Sequence, residues 1–158
     1  MIEIERKFLV QSDAFKDQAF KSTRIVQGFL NTHKKRTVRV RLKANDGFLT
    51  IKGESSSSGL SRFEWEKSIP KEEAEQLLQL CEEGVIDKIR YEVKVDGHIF
   101  EVDEFFGDNK GLIVAEVELN SETEQFTKPS WLGQEVTGDV RYYNSQLSNN
   151  PFITWDKA

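Results

Sequence analysis

The chain is poor in the residues that most often perform chemistry. One cysteine and two histidines in 158 residues rule out an intrachain disulfide and leave too few ligands for a Cys/His zinc site. Cys81 falls on the apolar side of a predicted helix, where an inert core thiol in a reducing compartment is expected. His33 lies in a basic turn and His98 beside Asp96-Gly97, and both read as solvated loop residues. A Gly-x-Ser-x-Gly elbow, a dinucleotide fingerprint and a helix-borne phosphate loop are missing. So is any apolar run approaching the roughly 18 to 20 residues of a membrane span, and the start is charged within three residues, unlike a signal peptide. Basic charge is not in excess either: 22 Lys and Arg face 27 Asp and Glu, for a net charge of −5 and a pI near 5.2. Nucleic acid is therefore not expected as a partner, although a cleft can still focus a local field of opposite sign. The expectation is a cytoplasmic protein with one domain over residues 1–158, long enough for one substantial core.

What the chain has in abundance is charge at every second position. Glu3, Glu5 and Lys7 follow Ile2 and Ile4 in this spacing; Arg39 and Arg41 alternate with Val38, Val40 and Leu42; Lys52 follows Leu49 and Ile51. Arg62, Glu64 and Glu66 alternate with Phe63 and Trp65, Lys88 and Arg90 with Ile89 and Tyr91, Glu101 and Asp103 with Phe100 and Val102, and Glu116 and Glu118 with Ala115, Val117 and Leu119. On strands, residues so spaced share a face. A half-solvated antiparallel sheet also alternates, but its wet face carries Ser, Thr, Asn and Gln as well. Here nearly every such position is ionised, with acids and bases segregated by strand. Like charges directly opposite one another destabilise a sheet. Pairs such as Glu64/Glu66 and Arg39/Arg41 therefore call for counter-charges from outside: a divalent cation for the acids, a polyanion for the bases.

Most of the chain reads as strands and short turns. Asn45-Asp46-Gly47 and Asp96-Gly97 are hairpin signals, and Ser55-Ser56-Ser57-Ser58-Gly59 reads as a flexible loop. Helices are expected from Pro70 towards Gly84, with Ala74, Leu77, Leu78 and Cys81 on one side, near Asp13 to Ala19, and from about Asp139 to Leu147. Amphipathic helices need an apolar surface, and the strands offer one. If helices cover the apolar faces outside, the charged faces turn inward. The expected fold is mainly β (α+β): an eight-stranded antiparallel closed β-barrel, or tunnel, with helices packed outside.

The inward candidates are the acids Glu3, Glu5, Glu64, Glu66, Asp103, Glu116 and Glu118 and the bases Lys7, Arg39, Arg41, Lys52, Arg62, Lys88 and Arg90. Burying each without a partner costs several kcal/mol, so they must be paired, hydrated or liganded. Carboxylate oxygens suit Mg²⁺ or Mn²⁺, and guanidinium forks match phosphate oxygens.

These residues sit in motifs that resemble those of the CYTH superfamily, the triphosphate tunnel metalloenzymes. The likeness begins at Glu3-Ile4-Glu5-Arg6-Lys7 and continues through Gln27-Gly28-Phe29-Leu30, Arg39-Val40-Arg41, Thr50-Ile51-Lys52-Gly53 and Arg62-Phe63-Glu64-Trp65-Glu66. It extends to Lys88-Ile89-Arg90-Tyr91, Ala115-Glu116-Val117-Glu118-Leu119 and Trp131-Leu132-Gly133-Gln134-Glu135-Val136-Thr137. One departure is Phe29, where bacterial relatives often carry Tyr. The resemblance implies metal-dependent hydrolysis of inorganic triphosphate, with Lys7, Arg39, Arg41, Lys52, Lys88 and Arg90 as catalytic cations that hold the substrate, joined in binding by Arg62. It assigns Glu3, Glu5, Glu64, Glu66, Asp103, Glu116 and Glu118 to metal, with two Mg²⁺ or Mn²⁺ ions expected. A triphosphate-containing small molecule is the expected partner, and a homodimer is compatible with the family. Alternatives within the fold are a class IV-like adenylyl cyclase or a thiamine triphosphatase; outside enzymes, a polyphosphate-binding module.

Overall fold

The alternation is resolved into strands in a computed structural model that describes residues 2–156. In chain order they are β1 (Ile2–Val10), β2 (Lys21–Asn31), β3 (Arg36–Lys43), β4 (Asp46–Gly53), β5 (Ser61–Ile69), β6 (Ile86–Val95), β7 (His98–Phe105), β8 (Ile113–Glu118) and the short β9 (Leu132–Glu135). Three helices accompany them: α1 (Phe15–Gln18), α2 (Lys71–Leu78) and α3 (Asn144–Leu147). The strands hydrogen-bond in the order β5-β4-β3-β2-β6-β7-β8-β1, and antiparallel pairing of β1 with β5 (Ile2↔Phe63, Glu3↔Arg62, Ile4↔Ser61) closes these eight into a barrel. β9 pairs with the far end of β1 through Phe8↔Glu135 and Val10↔Leu132.

The apolar half of the alternation lies outside. Phe8, Val93, Phe100, Val102, Ala115 and Val117 are buried there beneath Phe15 of α1, Trp131 and the half-buried Phe126. Rings of Phe15 and Phe100 meet Trp131 edge to face at 5.9 and 5.6 Å, a geometry that aromatic quadrupoles favour. Burying a side chain of Phe size stabilises by ~1.5–3 kcal/mol, so this layer is a main source of the barrel's stability. α2 covers β3 and β4. Its fully buried Ala74 lies so close to Gly47 that a Cβ at Gly47 would stand 2.8 Å from that of Ala74. The expected helical cover is therefore only part of the layer, because Phe126 and Trp131 come from the irregular segment between β8 and β9.

A second apolar cluster joins Phe29, Ile86, Phe105 and Val114 to Val136, Tyr142 and Leu147, with Phe152 and Trp155 against it. Phe105 and Val114 occupy the same alternating register as the inward charges of their strands, and Phe29 lies opposite the inward Arg39. The C-terminal segment thus seals one end of the barrel with hydrocarbon.

Local details depart from the sequence reading in three places. The β3–β4 turn is Ala44-Asn45, because Lys43 pairs with Asp46 and Asp46-Gly47 already belong to β4; Ala44 carries a φ of 53°. α2 stops at Leu78, so Cys81 lies beyond the helix, its thiol directed at the Leu77 carbonyl 3.4 Å away. The third helix is broken: a 3₁₀ turn (Val140–Tyr142) and α3 are separated by Tyr143, whose extended backbone (φ −70°, ψ 133°) turns the following residues into the barrel. The Asp96-Gly97 hairpin forms as expected, with φ of 45° and 85°. Among the described residues no helix is long and apolar enough to cross a membrane.

Candidate active site

The barrel encloses a cavity of about 230 Å³. Every strand from β1 to β8 faces it or supports a residue that does. Lys7, Arg39, Arg41, Lys52, Arg62, Lys88 and Arg90 line it together with Glu3, Glu5, Glu64, Glu66, Glu116 and Glu118, so the structure brings together thirteen of the fourteen residues singled out from the sequence. The exception is Asp103. It is buried on the inner face beneath the cations, its Oδ1 and Oδ2 accepting from Arg90 Nε and Nη2 at 2.8 and 2.9 Å, with Lys88 Nζ 2.8 Å from Oδ2. Both oxygens are taken, so the metal-ligand role expected for Asp103 does not fit its place. It orients two cations instead. Glu101, two residues earlier on β7, reaches the cavity and lies 3.3 Å from Arg90 Nη1. The alternation of β7 offers both carboxylates equally, and nothing in the sequence tells them apart.

Cross-strand register arranges the charges in two ways. Where cations face carboxylates the pairs are close: Glu3 lies opposite Arg62 and Lys52 opposite Glu64, with Lys52 Nζ 2.8 Å from Glu3 and 3.3 Å from Glu64. Around the other side, acids oppose acids, with Glu5 facing Glu118, Glu116 facing Glu101 and Glu101 facing Glu92 on four consecutive strands. Burial drives Glu5 well above the usual carboxylate range, and the charges of Glu116 and Glu3 drive it further. Glu116 is also raised by burial, but Lys7, a hydrogen bond from Glu5 and Arg90 outweigh this and hold it well down. The two carboxylates are thus driven apart in proton affinity, as crowded neighbouring carboxylates are, with Lys7 Nζ 3.6 Å from Glu116. Burial likewise raises Glu64, with Lys52 opposing and Glu3 assisting, and raises Glu118, with Glu3, Glu101 and Glu64 assisting. Among the described residues no three of these acids form a finished metal-ligand set; they stand in pairs.

On the basic side the imbalance has the opposite sign. Arg41 is buried, its Nε donates to Gln27 Oε1 at 2.9 Å, and it makes no direct ion pair with a carboxylate among the described residues. Burial depresses its proton affinity well below that of an ordinary guanidinium, and the charges of Arg39 and Arg90 add to the effect. Arg39 Nη2 reaches Thr50 Oγ1 at 3.1 Å and Glu66 at 3.4 Å, while its buried Nε has no partner among the described residues. Lys88 is 1% exposed. Burial brings its pKa down to about 7 despite the attraction of Asp103.

The motif residues without charge hold the walls. Lys7 N–H donates to Thr137 Oγ1 at 2.9 Å and Val136 N–H to the Lys7 carbonyl at 2.8 Å, pinning β1 where its pairing with β5 has ended. Tyr143, in the break before α3, has Lys7 Nζ and the Arg62 guanidinium 5.0 and 5.2 Å from its ring centre. Its hydroxyl is 3.2 Å from Ser55 Oγ in the serine-rich loop. That loop is fixed by a close approach of Gly59 to Gly138, both with positive φ, where a Cβ on Gly59 would come within 2.4 Å of the Gly138 Cα. Thr37, Lys43, Thr50, Asn144 and Ser145 also line the cavity and were not singled out from the sequence. Phe29 lines it too while belonging to the apolar cluster, which gives it a packing role.

A family model described as the CYTH domain matches residues 1–145. An inorganic triphosphatase of Acetivibrio thermocellus is 49% identical over 151 residues, covering 95% of each chain. One of Nitrosomonas europaea is 40% identical over 152 residues, covering 94% of this chain and 97% of its own. The crystal structure of the inorganic triphosphatase NE1496 is 37% identical and superposes with a TM-score of 0.67 over 92% of this chain and 97% of that one. A match over nearly the whole chain, joined to a barrel lined by the same motifs, establishes that this protein belongs to the CYTH domain family.

Proposed function

We propose that the tunnel hydrolyses inorganic triphosphate to pyrophosphate and phosphate with the help of divalent metal. The observation that carries this reading is the double imbalance of one cavity. The buried guanidinium of Arg41 lacks an anionic partner among the described residues on one side, and carboxylates crowd one another across neighbouring strands on the other. A metal complex of a condensed phosphate supplies both missing charges at once. The two names of the close relatives, inorganic triphosphatase in each case, point the same way.

In this reading Arg39, Arg41, Lys88 and Arg90, with Lys7, Lys52 and Arg62, hold the phosphate oxygens. Guanidinium forks set the chain's orientation, and the ammonium groups act as point charges. Asp103 locks Arg90 and Lys88 so that their charge is already placed when phosphate oxygen gains charge in the transition state, which is the economical form of electrostatic catalysis. Water attacks the terminal phosphorus as the bond to the bridging oxygen breaks, and pyrophosphate leaves with the bonding electrons.

The acidic wall fits a hard divalent cation. Glu3, Glu5, Glu64, Glu66, Glu116 and Glu118 offer only oxygen, in pairs, which leaves coordination places for water and phosphate as Mg²⁺ requires. Glu5 and Glu116 are the best-suited pair, because a cation there would relieve the mutual repulsion that raises Glu5. When bound, such an ion would supply positive charge against the negative charge that develops on phosphate oxygen.

The test is product analysis after incubation with Mg²⁺ or Mn²⁺ and either tripolyphosphate, ATP or thiamine triphosphate. Orthophosphate and pyrophosphate chiefly from tripolyphosphate are expected. Cyclic AMP from ATP, or metal-independent binding without any product, would replace the proposal with a cyclase or a binding module respectively.

A further inference from the structure

Gln27 belongs to one of the motifs that frame the chain, yet none of the roles above uses it. Its side chain is fully buried on β2. Its Oε1 accepts from Arg41 Nε at 2.9 Å, and its Nε2 donates to Asn144 Oδ1 at 2.6 Å. The same Asn144 oxygen accepts from Lys88 Nζ at 2.8 Å. Two amides therefore join a guanidinium on β3 to an ammonium on β6, passing across β2, the strand between them, and through the first residue of α3. The direction of every bond is dictated by chemistry. Arginine has donors only, so Arg41 must meet the Gln27 oxygen; Gln27 is then left with its NH₂ to offer Asn144, and the Asn144 oxygen that takes it leaves Lys88 Nζ to donate.

Carboxylates in these two places would bind the cations more strongly, since charge-assisted bonds are about twice as strong as neutral ones. Elsewhere in the tunnel carboxylates do take that part, as Glu3 does for Lys52 and Asp103 for Arg90. At Arg41 the fold uses an amide, and at Lys88 an amide beside the one carboxylate that Arg90 already shares. We propose that Gln27 and Asn144 form an uncharged strut that positions Arg41 and Lys88 for the polyanion without competing with it for their charge. This rests on the reading of the tunnel as a triphosphate site and names two positioning residues for it. It also gives α3 a purpose: the broken C-terminal helix closes the barrel and delivers the amide that ties two cationic strands together.

Asn144, half-buried at the cavity wall, tolerates an isosteric charge better than fully buried Gln27, so Asn144→Asp is the principal test and Gln27→Glu the second. Tripolyphosphate is titrated calorimetrically into wild type, Asn144→Asp, Asn144→Ala and Gln27→Glu in EDTA, with melting curves and Mg²⁺-supported turnover measured on the same preparations. The strut predicts that Asn144→Asp weakens binding by at least about tenfold and by more than Asn144→Ala does. It also predicts that the acid melts no lower than the alanine variant, and that its loss in turnover lies in KM more than in kcat. A smaller loss, or one no greater than that of Asn144→Ala, overturns the proposal, because a merely structural contact is harmed most by truncation. Gln27→Glu is judged by the same threshold from the other end of the strut. A wild type that binds tripolyphosphate but never cleaves it defeats the hydrolase reading while the affinity ratios still decide the strut; one that does not bind it in EDTA but cleaves it with Mg²⁺ defeats the strut alone, and one that does neither defeats both.

Discussion

Arg41→Met and Arg90→Met should cost the same activity, yet only Arg90→Met should destabilise the fold. Both guanidinium groups are buried, at 9% and 6% exposed. Arg90 is held by Asp103 at 2.8 and 2.9 Å and by Glu101 at 3.3 Å, whereas among the described residues Arg41 bonds to the neutral oxygen of Gln27 and to no carboxylate. Burial works against the charge of both, but at Arg90 the attraction of Asp103 outweighs it and the proton is held more tightly than usual. Breaking a buried ion pair by removing one partner costs ~3–5 kcal/mol, and Arg90→Met leaves Asp103 to Lys88 alone. Arg41→Met removes a charge that has lost hydration worth several kcal/mol without a protein counter-ion. Against that gain stands the orphaned Gln27 oxygen, at ~1–3 kcal/mol. The expected result in urea unfolding of the metal-free protein is Arg41→Met at or above wild type, give or take ~1 kcal/mol, with Arg90→Met lower by ~3 kcal/mol or more. In activity the two converge. A charge pair at 4 Å in an effective dielectric of about 20 is worth roughly 4 kcal/mol, and even a part of this realised in the transition state gives a hundredfold loss, at ~1.4 kcal/mol per decade. Equal destabilisation by the two substitutions would mean that the protein itself compensates Arg41, and the argument for an external anion would fail.

Arg39→Ala and Glu116→Ala should each lower phosphate release from tripolyphosphate by about a hundredfold or more, with folding verified by circular dichroism; near-full activity in either removes that residue from the machinery. EDTA should stop phosphate release and added Mg²⁺ or Mn²⁺ restore it. Glu5→Gln should prevent that restoration while leaving the metal-free melting temperature at neutral pH unchanged or higher, because it removes one of two crowded carboxylates. For Lys88 the sign follows from its lowered pKa of about 7: between there and the ordinary lysine value the unfolded chain holds a proton that the folded one lacks. Its contribution to stability of the ligand-free protein therefore rises with pH across that window, and Lys88→Met should flatten the rise in a series of denaturation curves.

The closed barrel was legible because the alternation runs through so many segments and leaves the charged face nowhere else to go. The paired acids and bases announced the same thing energetically, and the register supplies the reason. Glu5 opposite Glu118 and Glu116 opposite Glu101 are arrangements that a sheet built for stability alone avoids. What the alternation could not convey is depth. Asp103 and Glu101 share a face and a strand, yet one is sealed behind Arg90 and the other meets the cavity. Period two specifies a face but not how far along the barrel axis a residue lies, nor which neighbour reaches it first. The β3–β4 turn was expected at Asn45-Asp46-Gly47 and lies at Ala44-Asn45 for a related reason: the positive φ of Ala44 is imposed by the register of β3 against β4, and alanine carries no signal for it.

The C-terminal segment shows the other limit. Residues 139–147 read as one amphipathic helix, set between Thr137-Gly138 and Asn149-Asn150-Pro151. The structure instead breaks the helix at Tyr143, buries Tyr142 and Leu147 in the barrel's end, and presents Asn144 and Ser145 to the cavity. A continuous helix would spread these residues around its circumference at about 100° each, so apolar and amide groups could not both face into one narrow mouth. Breaking it lets the hydrocarbon seal the end while the amide reaches Gln27 and Lys88. Helical propensity was outweighed here by the demand of a closed barrel for a stopper with one greasy side and one polar tip, a demand visible only once the strands have met.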